Sequence, residues 1–91
     1  MAEVHHDPEG SKFFAESKGE EAHLIYRLLD GGILDLTHTY VPPSLRGGGL
    51  AGRIVKRALD YAREKGYRVI PSCWYAEAFI QRHPEYQDLL V

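Results

Sequence analysis

The sequence predicts a mixed α+β (α/β) domain: an antiparallel three-strand meander followed by a strand–loop–helix–strand–helix unit with one parallel strand pair. Three observations predict it. Apolar and polar residues alternate from Glu21 to Leu29 and again from Ile33 to Tyr40, the period of half-buried strands. Apolar residues then recur four apart from Leu50 to Lys65, the period of an amphipathic helix. Between the two patterns lies Tyr40-Val41-Pro42-Pro43-Ser44-Leu45-Arg46-Gly47-Gly48-Gly49-Leu50-Ala51, a proline-stiffened turn ending in three glycines.

Taken in order, residues 1–10 are polar and broken by Pro8 and Gly10, and they read as a flexible lead-in to a single domain at 11–91. Ser11 to Ser17, built around Phe13 and Phe14, reads as a short strand, with Lys18-Gly19-Glu20 as its turn. Glu21 to Leu29 places Ala22, Leu24, Tyr26 and Leu28 on one face and His23, Ile25 and Arg27 on the other. Asp30-Gly31-Gly32 supplies a hairpin turn. In the third strand, Ile33 to Tyr40, strict alternation puts Leu34, Leu36, His38 and Tyr40 together. Short turns between the three strands make the meander antiparallel.

The helix Leu50–Lys65 carries Leu50, Ile54, Ala58 and Ala62 on its apolar stripe, widened by Ala51, Val55 and Leu59; Arg53, Lys56, Arg57, Asp60 and Arg63 take the wet side. Gly66 stands where a left-handed cap belongs. Tyr67 to Ser72 reads as a strand. Because a helix precedes it, it runs parallel to Ile33–Tyr40. Tyr75 to Gln81 reads as a short helix stopped at Pro84, followed by a tail that docks through Tyr86, Leu89 and Leu90.

The 91 residues suit one domain with one modest core. Apolar residues are 44% and charged residues 26%, ordinary for a globular chain, and the net charge of −2 argues against an electrostatically driven nucleic-acid binder. A single cysteine excludes an internal disulfide, and no Cys/His cluster has zinc-ligand spacing, so no metal is expected. No apolar run is long enough to span a membrane, and the start has no secretory pattern. A reduced, cytoplasmic setting follows, with no membrane partner and a monomer or weak dimer.

A strand, a glycine-rich loop and a helix start form a junction suited to an anion. The first helical amides have no partner within the helix, and they lie at the positive end of its dipole. The loop is not a nucleotide-hydrolase phosphate loop, since no Lys-Ser or Lys-Thr pair follows the glycines. Gly47, Gly49 and Gly52 have the spacing of a dinucleotide fingerprint, but the Pro-Pro turn is too long for that tight crossover and the chain is too short for the repeated βαβ units. Cys73 follows the last strand beside a helix start, a setting that favours the thiolate. His38 stands near the end of the strand that enters the loop. If those two strands are parallel neighbours, His38 and Cys73 share the ligand-binding end of the sheet, and His38 is the candidate base. Trp74 and Tyr75 read either as walls of an acyl pocket or as core.

The segment Arg46-x-x-Gly49-x-Ala51 resembles the Q/R-x-x-G-x-G/A motif of the GNAT superfamily of acetyltransferases. Together with His38-Thr39-Tyr40-Val41-Pro42, Pro71-Ser72-Cys73-Trp74-Tyr75 and Arg82-His83-Pro84, it is similar to the small Yjdj-type branch of minimal N-acetyltransferase domains. The resemblance covers about Phe13 to Leu90. It implies a minimal GNAT-like fold whose parallel strands splay around a site for acetyl-CoA. The amides of Gly47, Gly48, Gly49, Leu50 and Ala51 would hold the pyrophosphate, with Arg46 as a phosphate partner and Val41 offering backbone to the pantetheine. Cys73 would lie near the coenzyme A sulfur, either taking the acetyl group or lining the pocket. The reaction implied is acetyl transfer to an amine, a small molecule or a lysine-like side chain; the alternative is a coenzyme A-binding module that transfers nothing efficiently. Typical members carry two helices near the N-terminus that shape the acceptor site. This chain has strands there, so an open acceptor site is expected.

Overall fold

Alternation in the first half of the chain becomes a sheet. In the computed structural model, which describes residues 2–91, the strands are β1 (His5–Asp7), β2 (Lys12–Ser17), β3 (Glu20–Leu29), β4 (Ile33–Tyr40) and β5 (Arg68–Ile70). They lie side by side in chain order, β1 to β4 antiparallel and β5 parallel to β4. Helix α1 (Leu50–Lys65) makes the crossover, and α2 (Trp74–Arg82) and a 3-10 turn at Pro84–Leu89 follow β5. The meander, the parallel pair and both helices match the sequence reading. The last strand is shorter than the predicted Tyr67–Ser72.

One stretch departs from that reading. Residues 5–7, read as part of a flexible lead-in, form the edge strand, with His5 opposite Phe14 and His6 opposite Phe13. Its contacts explain why. The His6 ring stacks on Phe13 at 4.1 Å, meets Tyr61 edge-on at 4.5 Å and lies 2.7 Å from the Tyr26 hydroxyl. These partners are distant in sequence, so a polar His-His-Asp triplet gives no local sign of them.

The core forms where the sheet meets α1. Phe13, Leu24, Leu34, Leu36 and Val69 are wholly buried against Ile54, Val55, Ala58, Leu59 and Ala62. Each buried Leu, Ile, Val or Phe contributes about 1.5–3 kcal/mol by leaving water. Helix α1 lies across β2, β3, β4 and β5, and α2 packs on α1 and β4. At Gly52 the helices come close, and a Cβ there would sit 3.5 Å from Phe79 and 3.6 Å from the Tyr75 hydroxyl. The tail docks as expected: Tyr86 and Leu89 are buried, the Tyr86 hydroxyl donates to Asp60 Oδ1 at 2.7 Å, and Leu90 bridges Val69.

A β-bulge decides the geometry of β4. Leu36 lies opposite Tyr26 and His38 opposite Ile25, leaving Thr37 as the extra residue, with its hydroxyl donating to the Ile25 carbonyl at 3.0 Å. An inserted residue reverses the side-chain alternation beyond it. Leu34 and Leu36 face the core, and after the bulge so does Thr39, opposite buried Leu24. His38 turns to the other face, exposed, 6.0 Å from the His23 ring. The predicted common face of Leu34, Leu36, His38 and Tyr40 is therefore corrected.

Candidate active site

Strand β4 pairs with β5 only at Ile33–Asp35; the last ladder-like contact is Cys73 N donating to the Leu36 carbonyl at 2.8 Å. Beyond it the two segments part. Between them opens a cleft of about 410 Å³ lined by Thr39, Tyr40, Val41, Ala51, Trp74 and Tyr75, with Arg46 at its loop end. A second hollow of about 210 Å³ shares Val41, Arg46, Ala51 and Tyr75 and continues along Gly47 and Gly49. A larger hollow, about 490 Å³, lies between β5, α2 and the tail. Its walls are mainly apolar, including Ile70, Ile80 and Leu90, and it holds neither the glycine loop nor the thiol, so the chemistry points to the smaller cleft.

The loop has the geometry of an anion cradle. Pro43–Leu45 forms a single 3-10 turn, Pro42 is buried, and Gly47 and Gly49 hold φ of +91° and +76°. Gly49 is the N-cap of α1 and contributes no side-chain cap, and no acid occupies the first turn. The first helical bond runs from Arg53 N to the Gly49 carbonyl at 3.1 Å, so the amides of Leu50, Ala51 and Gly52 precede the intrahelical ladder. Nothing lies within 4 Å of where a Cβ would stand on Gly47, Gly48 or Gly49. Backbone amides at the positive end of a sixteen-residue helix thus face open space. The residues present fit a pyrophosphate. Arg46 lies beside them, exposed, its Nε donating to the Val41 carbonyl at 2.8 Å. That bond fixes Arg46 at the loop and engages the carbonyl of Val41, whose backbone is expected to meet pantetheine.

Cys73 is the N-cap of α2 and 8% exposed, placed behind Thr39 rather than on the cleft surface. Its Sγ lies 3.3 Å from Thr39 Oγ1. Burial opposes the thiolate, but the Thr39 hydroxyl and the amides of Ala76, Tyr75 and Thr39 outweigh it and hold the thiol below its ordinary value. The expected Cys73–His38 pair is not formed, because the bulge puts His38 across the sheet and Thr39 in its place. Thr39 is the residue that sequence reasoning missed. No signal in Thr37-His38-Thr39 tells which residue is the insertion.

The charged face of α1 and the remaining aromatics resolve into structure. Arg53 donates to the Ala2 carbonyl, Lys56 pairs with Asp60 at 2.9 Å, and Arg57 lies over the Phe13 ring at 5.6 Å. The basic face of α1 is thus tied to the protein itself. Tyr86 is the tail's anchor. Tyr75 packs against the core, whereas Trp74 is 78% exposed.

A splayed parallel pair, a glycine loop opening onto a helix start and a thiol beside the splay are the arrangement of an acetyltransferase fold. Residues 12–89 match the model of the GCN5-related N-acetyl-transferase family, and the chain belongs to that family. Among curated proteins, it is 36% identical over 83 residues to Protein NATD1 of Bos taurus, an alignment covering 89% of this chain and 74% of the relative. Protein NATD1 of Homo sapiens is 34% identical over the same shares. The solution structure of a GCN5-like candidate N-acetyltransferase from Staphylococcus aureus superposes with a TM-score of 0.76 at 26% identity, covering 98% of this chain and 87% of that one. The GNAT resemblance and the fold class read from the sequence both hold. Among the described residues, no helix is long and apolar enough to cross a membrane.

Proposed function

We propose that this protein transfers the acetyl group of acetyl-CoA to an amine. One observation carries the reading: the β4–β5 splay opens onto the unpartnered amides of the glycine loop. The amides from Gly47 to Ala51, with Arg46, would hold the pyrophosphate, and the cleft past Val41 would take the pantetheine toward Thr39. Acetyl-CoA supplies an activated thioester: the amine nitrogen bonds to the acetyl carbon, the C–S bond breaks, and the proton lost from nitrogen passes through solvent to the departing sulfur, which leaves as the thiol. Thr39 lines the inner end of the cleft, with the Cys73 thiol behind its hydroxyl. Because Cys73 is nearly buried, direct attack by the amine fits the geometry better than a relay through acetylated Cys73. A reduced, cytoplasmic setting belongs to this reading, since it keeps Cys73 a thiol.

A coenzyme A-binding module without efficient turnover is favoured by one observation: among the described residues, no carboxylate or imidazole lines the cleft. Calorimetric titration of coenzyme A and acetyl-CoA, with Gly49→Asp as control, tests the site. Binding in the wild type that disappears in the variant supports the loop as the pyrophosphate site, and no binding up to millimolar ligand sinks both readings. Acetyl transfer to simple amines above the uncatalysed rate then separates the enzyme from the binder. An acetyl adduct on Cys73 that amines discharge would move the thiol onto the path.

A further inference from the structure

The segment ahead of β1 reaches the glycine loop. Ala2 and Val4 pack against the core. The Ala2 carbonyl accepts a hydrogen bond from the Arg53 guanidinium. Ala2 and Arg53 also share a hollow of about 230 Å³ with Arg46, Gly48 and Leu50, so their contact stands at the rim of the anion cradle. Glu3 and Val4 line a second hollow of about 360 Å³ with Arg53, Lys56 and Arg57. A backbone carbonyl and a carboxylate are thereby laid along the basic side of α1.

Arg53 is the residue this affects. It closes the first turn of α1, its amide bonded to the Gly49 carbonyl. Helical side chains lean toward the N-terminus, so its guanidinium covers the turn that opens the cradle. Lys56 and Arg57 have partners in Asp60 and the Phe13 ring. Arg53 is held instead by a neutral carbonyl. A phosphate is a stronger acceptor for a guanidinium, because it is charged and takes two parallel bonds.

His6 holds the segment down. Its ring is stacked on Phe13 and edge-on to Tyr61, and it anchors a strand of only three residues at the sheet edge. A short edge strand opens at lower cost than the strands inside a sheet.

We propose that residues 2–7 are an autoinhibitory strap: anchored by His6, they hold Arg53 on the Ala2 carbonyl and keep it from joining Arg46 at the anion cradle. This rests on the acetyl-CoA reading given above. The phosphates of coenzyme A must win Arg53 from the strap, and affinity is lowered by the fraction of molecules in which the strap is down. Lifting it tightens binding by about two- to tenfold, the effect of one partly exposed guanidinium–phosphate pair.

Two full-length variants lift the strap. His6→Ser removes the stacked ring, and Val4→Ser removes an apolar anchor without adding charge. Hydrogen exchange should show the β1 amides released in His6→Ser while β3 and β4 stay protected. Calorimetry should show coenzyme A bound about two- to tenfold more tightly in both variants. Adding Arg53→Gln to His6→Ser should abolish that gain, and Arg53→Gln should cost more affinity there than in the wild-type background. A released β1 with coenzyme A affinity unchanged or weakened overturns the strap. A gain that survives Arg53→Gln assigns the effect to another group and overturns it too. Continued protection of β1 in His6→Ser, with Kd unmoved in Val4→Ser, removes the anchor and also overturns it. Failure of the wild type and both variants alike to bind coenzyme A overturns the acetyl-CoA reading beneath it.

Discussion

The Cys73 sulfur lies 3.3 Å from the Thr39 hydroxyl, across the point where β4 and β5 separate. Each group comes from the residue that ends a regular pattern: Thr39 from beyond the bulge, Cys73 from the N-cap of α2. In the thiol form the S–H donates to Oγ1. In the thiolate form the hydroxyl donates back, joined by the amides of Tyr75 and Ala76. A group with several donors aimed at its charged form ionises more readily.

Thr39→Val removes the hydroxyl and keeps the shape. The pH profile of Cys73 alkylation in this variant should move to higher pH, because burial continues to oppose the thiolate while one donor is lost. His38→Gln should leave the profile unchanged, since His38 faces the opposite side of the sheet. A profile that moves in His38→Gln and holds in Thr39→Val would contradict the pairing.

Gly49→Ala tests the loop without adding charge. A methyl group meets nothing within 4 Å, so its cost is conformational: an alanine held at φ +76° is destabilised by about 1–2 kcal/mol. Denaturant unfolding should show a loss of that size, and coenzyme A affinity should fall as the added carbon occupies the cradle. Unchanged affinity would place the pyrophosphate elsewhere.

Tyr86→Phe should destabilise the protein by about 1 kcal/mol, the usual worth of a hydrogen bond, by removing the tail's hydroxyl bond to Asp60 of α1. Asp60 gains a pH signature from the same bond. Burial raises its pKa, but hydrogen bonds from Tyr86 and Lys56 outweigh that and hold it below the ordinary carboxylate value. Its contribution is present above the unfolded pKa and is lost as pH falls through the lowered folded one. Thermal melts across the acid range should therefore show a smaller acid loss in Tyr86→Phe.

His6 works in a higher pH range. Burial chiefly, with the charges of Arg57 and Lys65 and against that of Asp7, lowers its pKa from the ordinary 6.5. The folded state prefers the neutral ring. Stability is full above the unfolded value and declines as pH falls below it toward the folded one. Melting temperature should drop as pH falls from neutral through and below the ordinary histidine value, and His6→Phe, which stacks on Phe13 without titrating, should flatten that drop. An equal slope in both proteins would remove His6 from the cause.

The sequence by itself determined the meander, the crossover helix, the glycine loop and the docking tail, because each rests on short-range physics. Period two in Glu21–Leu29, the four-residue spacing from Leu50 to Ala62 and a glycine at the start of a helix can all be read within one element. The open amides at the start of α1 follow in the same way, since amides without intrahelical partners belong to any helix start. Only the tertiary structure decided that residues 5–7 join the sheet, that Thr37 is the inserted residue and that Thr39 rather than His38 meets Cys73. These depend on the register between β3 and β4 and on aromatic rings brought together from distant positions. A one-residue insertion reverses every later side chain while leaving the local pattern of β-branched and polar residues unchanged.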